Sequence, residues 1–386
     1  MTEYGLNETT VVGNSLLRVY HFILDHRVGG PHVYVDTLNQ ALKGKIDSVI
    51  VTTGQGPITD IALLNLRYLW APLYAIEMIV NAVFLVYLVL SRRIKRKNAI
   101  FNVHGSANIA PIIAARIVGI PVVWHFHESL PHFRRLVTIG RWLLHNHPHT
   151  LVVVANKAKE AYRLENAVII PAAVDTSFWS QNSVDKDAID GCGWSGSQEN
   201  GERPFRVLAI GNLNPLKGMD ILLEAFAAIS GHWHVKIAGA ELETHKKYAA
   251  KLYEQTRAIL SVKTECAIEF LGWQDKTQVR ALLASCDIFV LPSRSEAGPI
   301  VLLEAMAMDC NCLAADVGDV RTLMGNYSRG RVFPAGSVQD LRKGIKHFQD
   351  VLRIPSIMSE LTDSIWQIRD LSAKTMVIYN SLTGKD

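Results

Sequence analysis

Residues 291–324 read LPSRSEAGPIVLLEAMAMDCNCLAADVGDVRTLM. The short apolar run 284–291, closed by Pro292 and Ser293, has the pattern of a buried strand. A loop follows over 295–298, and Pro299 suits the first turn of a helix, where its missing N–H is no loss. From Ile300 to Met308 the helix is apolar on every side, which places it in a core. Glu304 lies inside that run, where a carboxylate is costly unless something hydrogen-bonds it, and Glu296 stands in the loop before it. Two carboxylates flanking a helix N-terminus, at the carboxyl end of a strand, describe a ligand site of an open α/β sheet. The backbone N–H groups at that N-terminus suit an anion, a phosphate above all. Structure alone would serve the same spacing: Glu296 capping its own helix, Glu304 paired with a buried cation.

The segment 296–307, EAGPIVLLEAMA, closely resembles the Glu-(seven residues)-Glu motif of glycosyltransferase family 4. The resemblance implies a retaining, nucleotide-sugar-dependent enzyme of α/β class and GT-B fold, with two Rossmann-like parallel-sheet domains facing a central cleft. It also implies that the first Glu lies against the donor sugar and diphosphate, and that the second accepts hydrogen bonds from the nucleotide ribose.

A chain of 386 residues, 49% hydrophobic and 20% charged, has room for two globular domains. A net charge of +4 is too mild to argue for nucleic acid. The five cysteines are an odd number, and Cys310 and Cys312 have no His or Cys partners at zinc-site spacing. A reducing compartment is the expectation. The N-terminal MTEYGLNETT lacks the basic and apolar regions of a signal peptide, so a cytoplasmic protein is expected.

In chain order, 16–24 reads as a first parallel strand, followed by Gly29-Gly30 and a helix over 31–42. A glycine pair there permits close backbone approach to a ligand, and the family has a similar pair beside the donor diphosphate. Residues 49–52 are a second strand. Residues 61–90 are ambiguous: 71–90 has the length of a membrane span but contains Glu77 and Asn81. A buried helix pair is the favoured account. The alternative is a helix on an anionic membrane surface, with the basic run 92–97 at the headgroups. Two strands, 99–103 and 121–125, run into histidines, His104 and the series His125-Phe126-His127-Glu128, at strand ends that face a ligand crevice. Residues 120–128 resemble the family's strand ending in a sugar-contacting histidine, which aligns with His127. A metal held by His125, His127 and Glu128 would want a further ligand, and none is evident.

The segment 168–175 resembles the family's strand leading out of the first domain, with Ala173 in place of a usual Gly. Composition turns to Ser, Gly, Asp and Asn over 180–203, as in a linker. Strand 205–211 and the loop 212–218, NLNPLKG, resemble the family's phosphate loop, in which an Arg and a Lys grip the diphosphate. Lys217 matches the Lys, Asn212 stands where the Arg is usual, and Arg294 is a candidate substitute. On spacing alone Lys217 is a solvated loop lysine. Gly272 and Trp273 end a further strand, where the family's backbone contacts the nucleobase. Asp316-Val317-Gly318-Asp319 resembles a turn usually written with two glycines, Thr322 falls where an acid is common, and Asp309 replaces a frequent Gly.

The expected organisation is therefore an acceptor domain over 1–178, a linker over 179–204, a donor domain over 205–363, and a closing helix over 364–386 that crosses back. The expected activity is transfer of a sugar from a nucleotide diphosphate sugar to a glycan or lipid-linked acceptor, with no metal required. His127, Glu296 and Lys217 are the candidate catalytic residues. Gly29, Gly30, Asn212, Lys217, Gly272, Trp273, Arg294, Glu296, Gly298, Pro299, Ile300 and Glu304 are the candidate donor-binding residues. Competing readings are a phosphorylase or synthase of the same fold, and a degenerate non-catalytic member acting as a partner or membrane-binding subunit. A nicotinamide-dependent oxidoreductase is disfavoured, because no G-x-G-x-x-G follows a strand.

Overall fold

The computed structural model describes residues 16–24, 30–55, 59–65, 71–128, 131–194, 203–263, 266–325, 327–351 and 368–384. The first sheet contains β1 (Leu17–Ile23), β2 (Ile46–Thr53), β3 (Ile61–Leu63), β4 (Ala99–His104), β5 (Val122–Phe126), β6 (His149–Val153) and β7 (Val168–Ile169). Its spatial order is β3-β2-β1-β4-β5-β6-β7. The second contains β8 (Phe205–Ile210), β9 (Trp233–Ala238), β10 (Cys266–Gly272), β11 (Ile288–Leu291), β12 (Cys312–Ala315) and β13 (Gly330–Phe333), in the order β10-β9-β8-β11-β12-β13. The described strand pairings are parallel. β9 and β11 are buried at every position, as strands covered on both faces are.

Each sheet starts in its middle, grows to one edge, then returns to grow on the other side of its first strand. The order thus reverses between β1 and β4, and again between β8 and β11. At such a reversal the two outgoing loops diverge and leave a crevice at the carboxyl ends of the strands.

Packing divides the chain into two units. One comprises Met1–His125, Arg135–Thr150 and Met376–Asp386; the other comprises Phe126–Arg134 and Leu151–Thr375. In the first, Phe22 and Phe101 pack with ring centroids 4.6 Å apart, and Trp124 is fully buried with its Nε1 donating to the Gly105 carbonyl at 2.9 Å. A Cβ on Gly140 would come within 2.5 Å of the Trp124 ring, so only glycine lets the helix Arg134–Leu143 lie there. Asn102 of β4 donates to the Tyr379 hydroxyl at 2.7 Å, which ties the final helix, Ile368–Thr383, into this core.

The favoured helix pair over 61–90 is not what forms. Residues 61–63 are the edge strand β3, and a single helix runs over Ala71–Leu90. Asn81 explains the join: its side chain accepts from the Leu64 N–H at 2.9 Å and donates to the Leu64 carbonyl at 3.0 Å. Nor is the helix buried throughout. One face packs on the helix Ala110–Val118, and the other is exposed. Among the described residues it is the one helix long and apolar enough to cross a membrane.

In the second unit the stretch expected as a linker carries short helices over Gln181–Ser183 and Lys186–Asp190; residues 195–202 lie outside the described ones. Lys236, 2% exposed, donates to the carbonyls of Cys192 (2.7 Å) and Gly193 (2.9 Å) and pairs with Glu269 at 3.0 Å. Those partners satisfy a cation that would otherwise be too costly to bury.

Candidate active site at the β8–β11 reversal

β8 ends at Ile210, and its loop closes with a short 3-10 turn, Pro215–Lys217, in which the Asn214 side chain accepts from the Leu216 N–H at 3.0 Å. β11 ends at Leu291 and leads through 292–299 into the helix Ile300–Ala307. The two loops interlock. Gly218 has φ +66°, and a Cβ there would sit 2.0 Å from the Pro292 carbonyl oxygen, while the Arg294 N–H donates to the Leu216 carbonyl at 2.7 Å. This contact brings together residues 79 positions apart: Lys217 Nζ donates to Glu296 Oε1 at 2.6 Å. Ser293 Oγ, fully buried, donates to the same oxygen at 2.8 Å. With side chains 27% and 11% exposed, Lys217 and Glu296 form a partly desolvated pair at the mouth of the crevice.

Arg294 lines the same crevice, with its side chain already engaged. Its guanidinium grips both oxygens of Asp220, each at 2.7 Å, and also donates to the Pro215 carbonyl at 2.8 Å. Tyr248 adds a hydroxyl to Asp220 at 2.7 Å. Burial alone would push the Asp220 carboxyl up, but Arg294 and Tyr248 reverse this and hold it below the usual carboxylate range. Asn212 is likewise engaged, its side-chain oxygen accepting from the Ala240 N–H at 3.2 Å, which joins the ends of β8 and β9.

Pro299 takes the cap position of the helix Ile300–Ala307, and no side chain caps it. Glu296 therefore does not cap its own helix; it faces Lys217. Residues Leu302 to Ala307 are buried, as the all-round apolar pattern requires. Glu304 is 9% exposed, and burial pushes its pKa up to about 7, slightly offset by Lys276. Gly298 has a weaker spatial requirement, since a Cβ there would meet the Val154 carbonyl at an ordinary 3.7 Å.

A cavity of about 510 Å³ opens here, lined by Lys157, Glu160, Arg294, Glu296, Asp316 and Gly318 among others. Gly318 has φ +56°, and a Cβ there would lie 2.4 Å from the Glu296 carbonyl oxygen, so this glycine alone allows the 316–319 turn to close over the Glu296 backbone. Asp319 reaches the Asn156 N–H at 2.8 Å. Lys157, Ser293 and Asp220 were not singled out by the sequence; Ser293 and Asp220 flank quoted motifs, and Lys157 carries no signal in its neighbourhood. Asp309 adopts φ +55°, the left-handed conformation in which glycine is at home, and keeps Arg329 beside it at 3.3 Å.

The other candidates lie elsewhere. Gly272 ends β10 with φ +68° and accepts from the Gly239 N–H at 2.8 Å; Trp273 after it is 59% exposed. Gly30 opens the helix Gly30–Ala41, and Gly29 lies outside the described residues. At the β1–β4 reversal of the first unit stands a layer of stacked rings. His21 Nδ1 lies 3.2 Å from His104 Nε2, and the His104 and His125 rings stack at 4.9 Å with Tyr34 against His125 at 5.6 Å. Burial pushes His21 down to about 3, and His127, just after β5, down to about 3 as well. The His104 and His125 rings are near-parallel (26°), which sets their planes side by side.

Residues 194–350 match the family profile for glycosyl transferases group 1. The chain is 34% identical over 89 residues to the putative teichuronic acid biosynthesis glycosyltransferase TuaC of Bacillus subtilis, a match spanning 23% of each protein. It is 23% identical to the GPI3 subunit of the phosphatidylinositol N-acetylglucosaminyltransferase of Saccharomyces cerevisiae, over 93% of this chain and 81% of that one. Among solved structures it resembles Anabaena HepE in complex with UDP and glucose, with a TM-score of 0.71 at 16% identity over 95% of this chain and 98% of that one. The chain thus has the GT-B fold of two parallel-sheet α/β domains, and residues 194–350 of its second unit are similar to glycosyl transferases group 1.

Proposed function

We propose that this chain is a retaining glycosyltransferase of family 4 that moves a sugar from a nucleotide diphosphate donor to a glycan or lipid-linked acceptor. The observation that carries the reading is the convergence of Lys217 and Glu296, from two separate loops, at the N-terminus of the helix Ile300–Ala307. A departing diphosphate develops negative charge, and preorganised donors aimed at that charge lower the barrier. Lys217 supplies a cation and the N–H groups of Gly298 and Ile300 supply dipoles. Glu296, released from Lys217 by the diphosphate, orients the donor sugar and stabilises cationic character at the anomeric carbon. Glu304 accepts hydrogen bonds from the ribose hydroxyls. His127, a neutral imidazole at pH 7, contacts the donor sugar or positions the acceptor hydroxyl. The acceptor's proton passes to the departing phosphate oxygen on the same face, so neither a glycosidase-type carboxylate pair nor a metal is called for.

Support for a nucleoside diphosphate comes from HepE, which binds UDP and glucose, and for a lipid acceptor from GPI3, whose enzyme acts on phosphatidylinositol. A cytoplasmic protein working at the inner face of an anionic membrane, in polysaccharide or glycoconjugate synthesis, fits both. A second reading, a non-catalytic partner subunit, is favoured by the engagement of Asn212 and Arg294 in structural bonds, which leaves Lys217 as the principal cation for a diphosphate.

Calorimetric titration of a panel of nucleoside diphosphates and nucleotide sugars decides between the two. Tight binding of one base by the wild type, weakened in Lys217→Ala and Glu304→Ala, is the expected result and names the nucleotide. A folded protein that binds none of the panel rules out the enzyme.

A further inference from the structure

Helix Ala71–Leu90 is inside out. Its polar residues Glu77 and Asn81 are 4% and 1% exposed, on the side packed into the first unit. Its outward face is apolar along its length: Ile76, Ile79, Val80, Val83, Tyr87 and Leu90 follow one another at helical spacing, with Ile79 61%, Val83 65% and Leu90 75% exposed. The sequence alone could not assign these faces, since a helix with only two polar side chains offers little moment to orient it.

A basic turn follows at once. Arg92, Arg93, Lys95, Arg96 and Lys97 are all exposed, and they radiate from Ile94, which is 1% exposed and anchors the turn through its N–H on the Leu88 carbonyl. The Arg96 guanidinium reaches Gly119, at the end of the neighbouring helix Ala110–Val118, where Arg116 is exposed and Ile117 is 66% exposed. Between Met78 and Lys159 Glu128 is the sole acidic residue, against eleven Lys and Arg. Apolar stripe and cationic border therefore belong to one surface, with almost no carboxylate in the surrounding sequence.

An apolar face of this extent on a water-exposed helix marks a docking surface, and its border selects the occupant. A transmembrane course would strip the helix from Ala110–Val118 and place Glu77 and Asn81 in hydrocarbon. A second copy of the chain would present the same cations with no acidic border to meet them. We propose that this face docks flat on an anionic lipid surface, the stripe entering the boundary between headgroups and acyl chains and the basic turn lying among the phosphates. The inference rests on the proposed function only for its purpose, which is to bring the enzyme to a lipid-linked acceptor.

The test is flotation of the full chain with vesicles of pure phosphatidylcholine and of equal parts phosphatidylcholine and phosphatidylglycerol. Binding to the anionic vesicles alone, weakening as salt is raised, is expected. Two variants should each lower it about tenfold or more: Ile79→Ser with Val83→Ser, and Arg92→Gln with Arg93→Gln and Lys95→Gln. Both should keep the wild-type melting temperature and nucleoside diphosphate binding. Three results would overturn the proposal: no flotation with anionic vesicles, flotation that both variants retain, or a dimer in solution that Ile79→Ser with Val83→Ser dissociates. Vesicle binding is read without sugar transfer and nucleotide binding without vesicles, so failure of one leaves the other intact.

Discussion

The two sheets reverse their strand order in the same way, yet the crevices they generate hold opposite chemistry. At β8–β11 the loops bring in charge: Lys217 on Glu296, Arg294 on Asp220, and a carboxyl at Glu304 lifted to about 7. At β1–β4 the strand ends carry stacked rings, His21, His104 and His125 with Tyr34, and burial holds His21 neutral with a pKa near 3. Topology decides where a ligand can sit, and the side chains decide what kind. On the function proposed above, the diphosphate of the donor goes to the first of these crevices. The ring layer at the second suits a hydroxylated, uncharged group or plain packing.

The contrast can be broken at Lys217. Lys217→Ala removes the cation and should lower transfer by about a hundred- to a thousandfold, roughly 3–4 kcal/mol, with stability little changed; steady-state kinetics against donor concentration measure it. Glu304→Gln comes next, with opposite effects on two readouts. A carboxyl whose pKa is raised from 4.5 to about 7 by folding favours the unfolded chain once ionised, a penalty absent below pH 4.5 and complete above pH 7. The amide should therefore raise unfolding free energy by about 3 kcal/mol at pH 8 and leave it unchanged at pH 4, by urea titration. Donor binding should weaken in the same protein, because the amide replaces one of the two accepting carboxylate oxygens with an NH2 that only donates. Stabilisation without loss of binding would separate Glu304 from the donor.

At the β1–β4 crevice the sign is reversed. His21 falls from 6.5 to about 3 on folding, so its contribution to stability is intact above pH 6.5 and is lost as pH drops, by about 1.4 kcal/mol per unit. His21→Leu should flatten that acid limb, cost about 1–3 kcal/mol at pH 7 by leaving Asn102 and His104 short of a partner, and leave nucleoside diphosphate affinity unchanged. The smallest change sharpens the comparison from the other side. Asn212→Arg should sacrifice the Ala240 hydrogen bond, about 1 kcal/mol of stability, and tighten diphosphate binding about tenfold through a charge-assisted contact. Calorimetry reads the second effect and thermal melting the first.

The fold of 291–308 was legible because its signals agree locally, an apolar strand followed by a proline at the start of an all-round apolar helix. A role for Glu296 and Glu304, by contrast, rested on the family resemblance. Lys217 of the β8 loop stood out only through the family resemblance, since on spacing alone it reads as a solvated lysine; the parallel strands were legible through their apolar runs. What escaped needed distance. That Arg294 would be committed to Asp220, 74 residues away, follows only once β8 and β11 lie side by side. The strand Ile61–Leu63 is too short to show a period, and the outward face of Ala71–Leu90 depends on which side meets Ala110–Val118. Asp309 looked like a departure from glycine, but its backbone keeps the left-handed turn.

The interlock of the two loops has a consequence for anyone who would re-engineer specificity. Only glycine fits at 218, because the Pro292 carbonyl lies where a Cβ would be, and the Leu216 carbonyl is held by the Arg294 N–H. Neither loop has a conformation of its own to export. A transplant of 211–218 from a relative with a different donor would meet the resident 292–299 backbone and lose its shape. The two segments form a single unit of inheritance, and a chimera should move both together or neither.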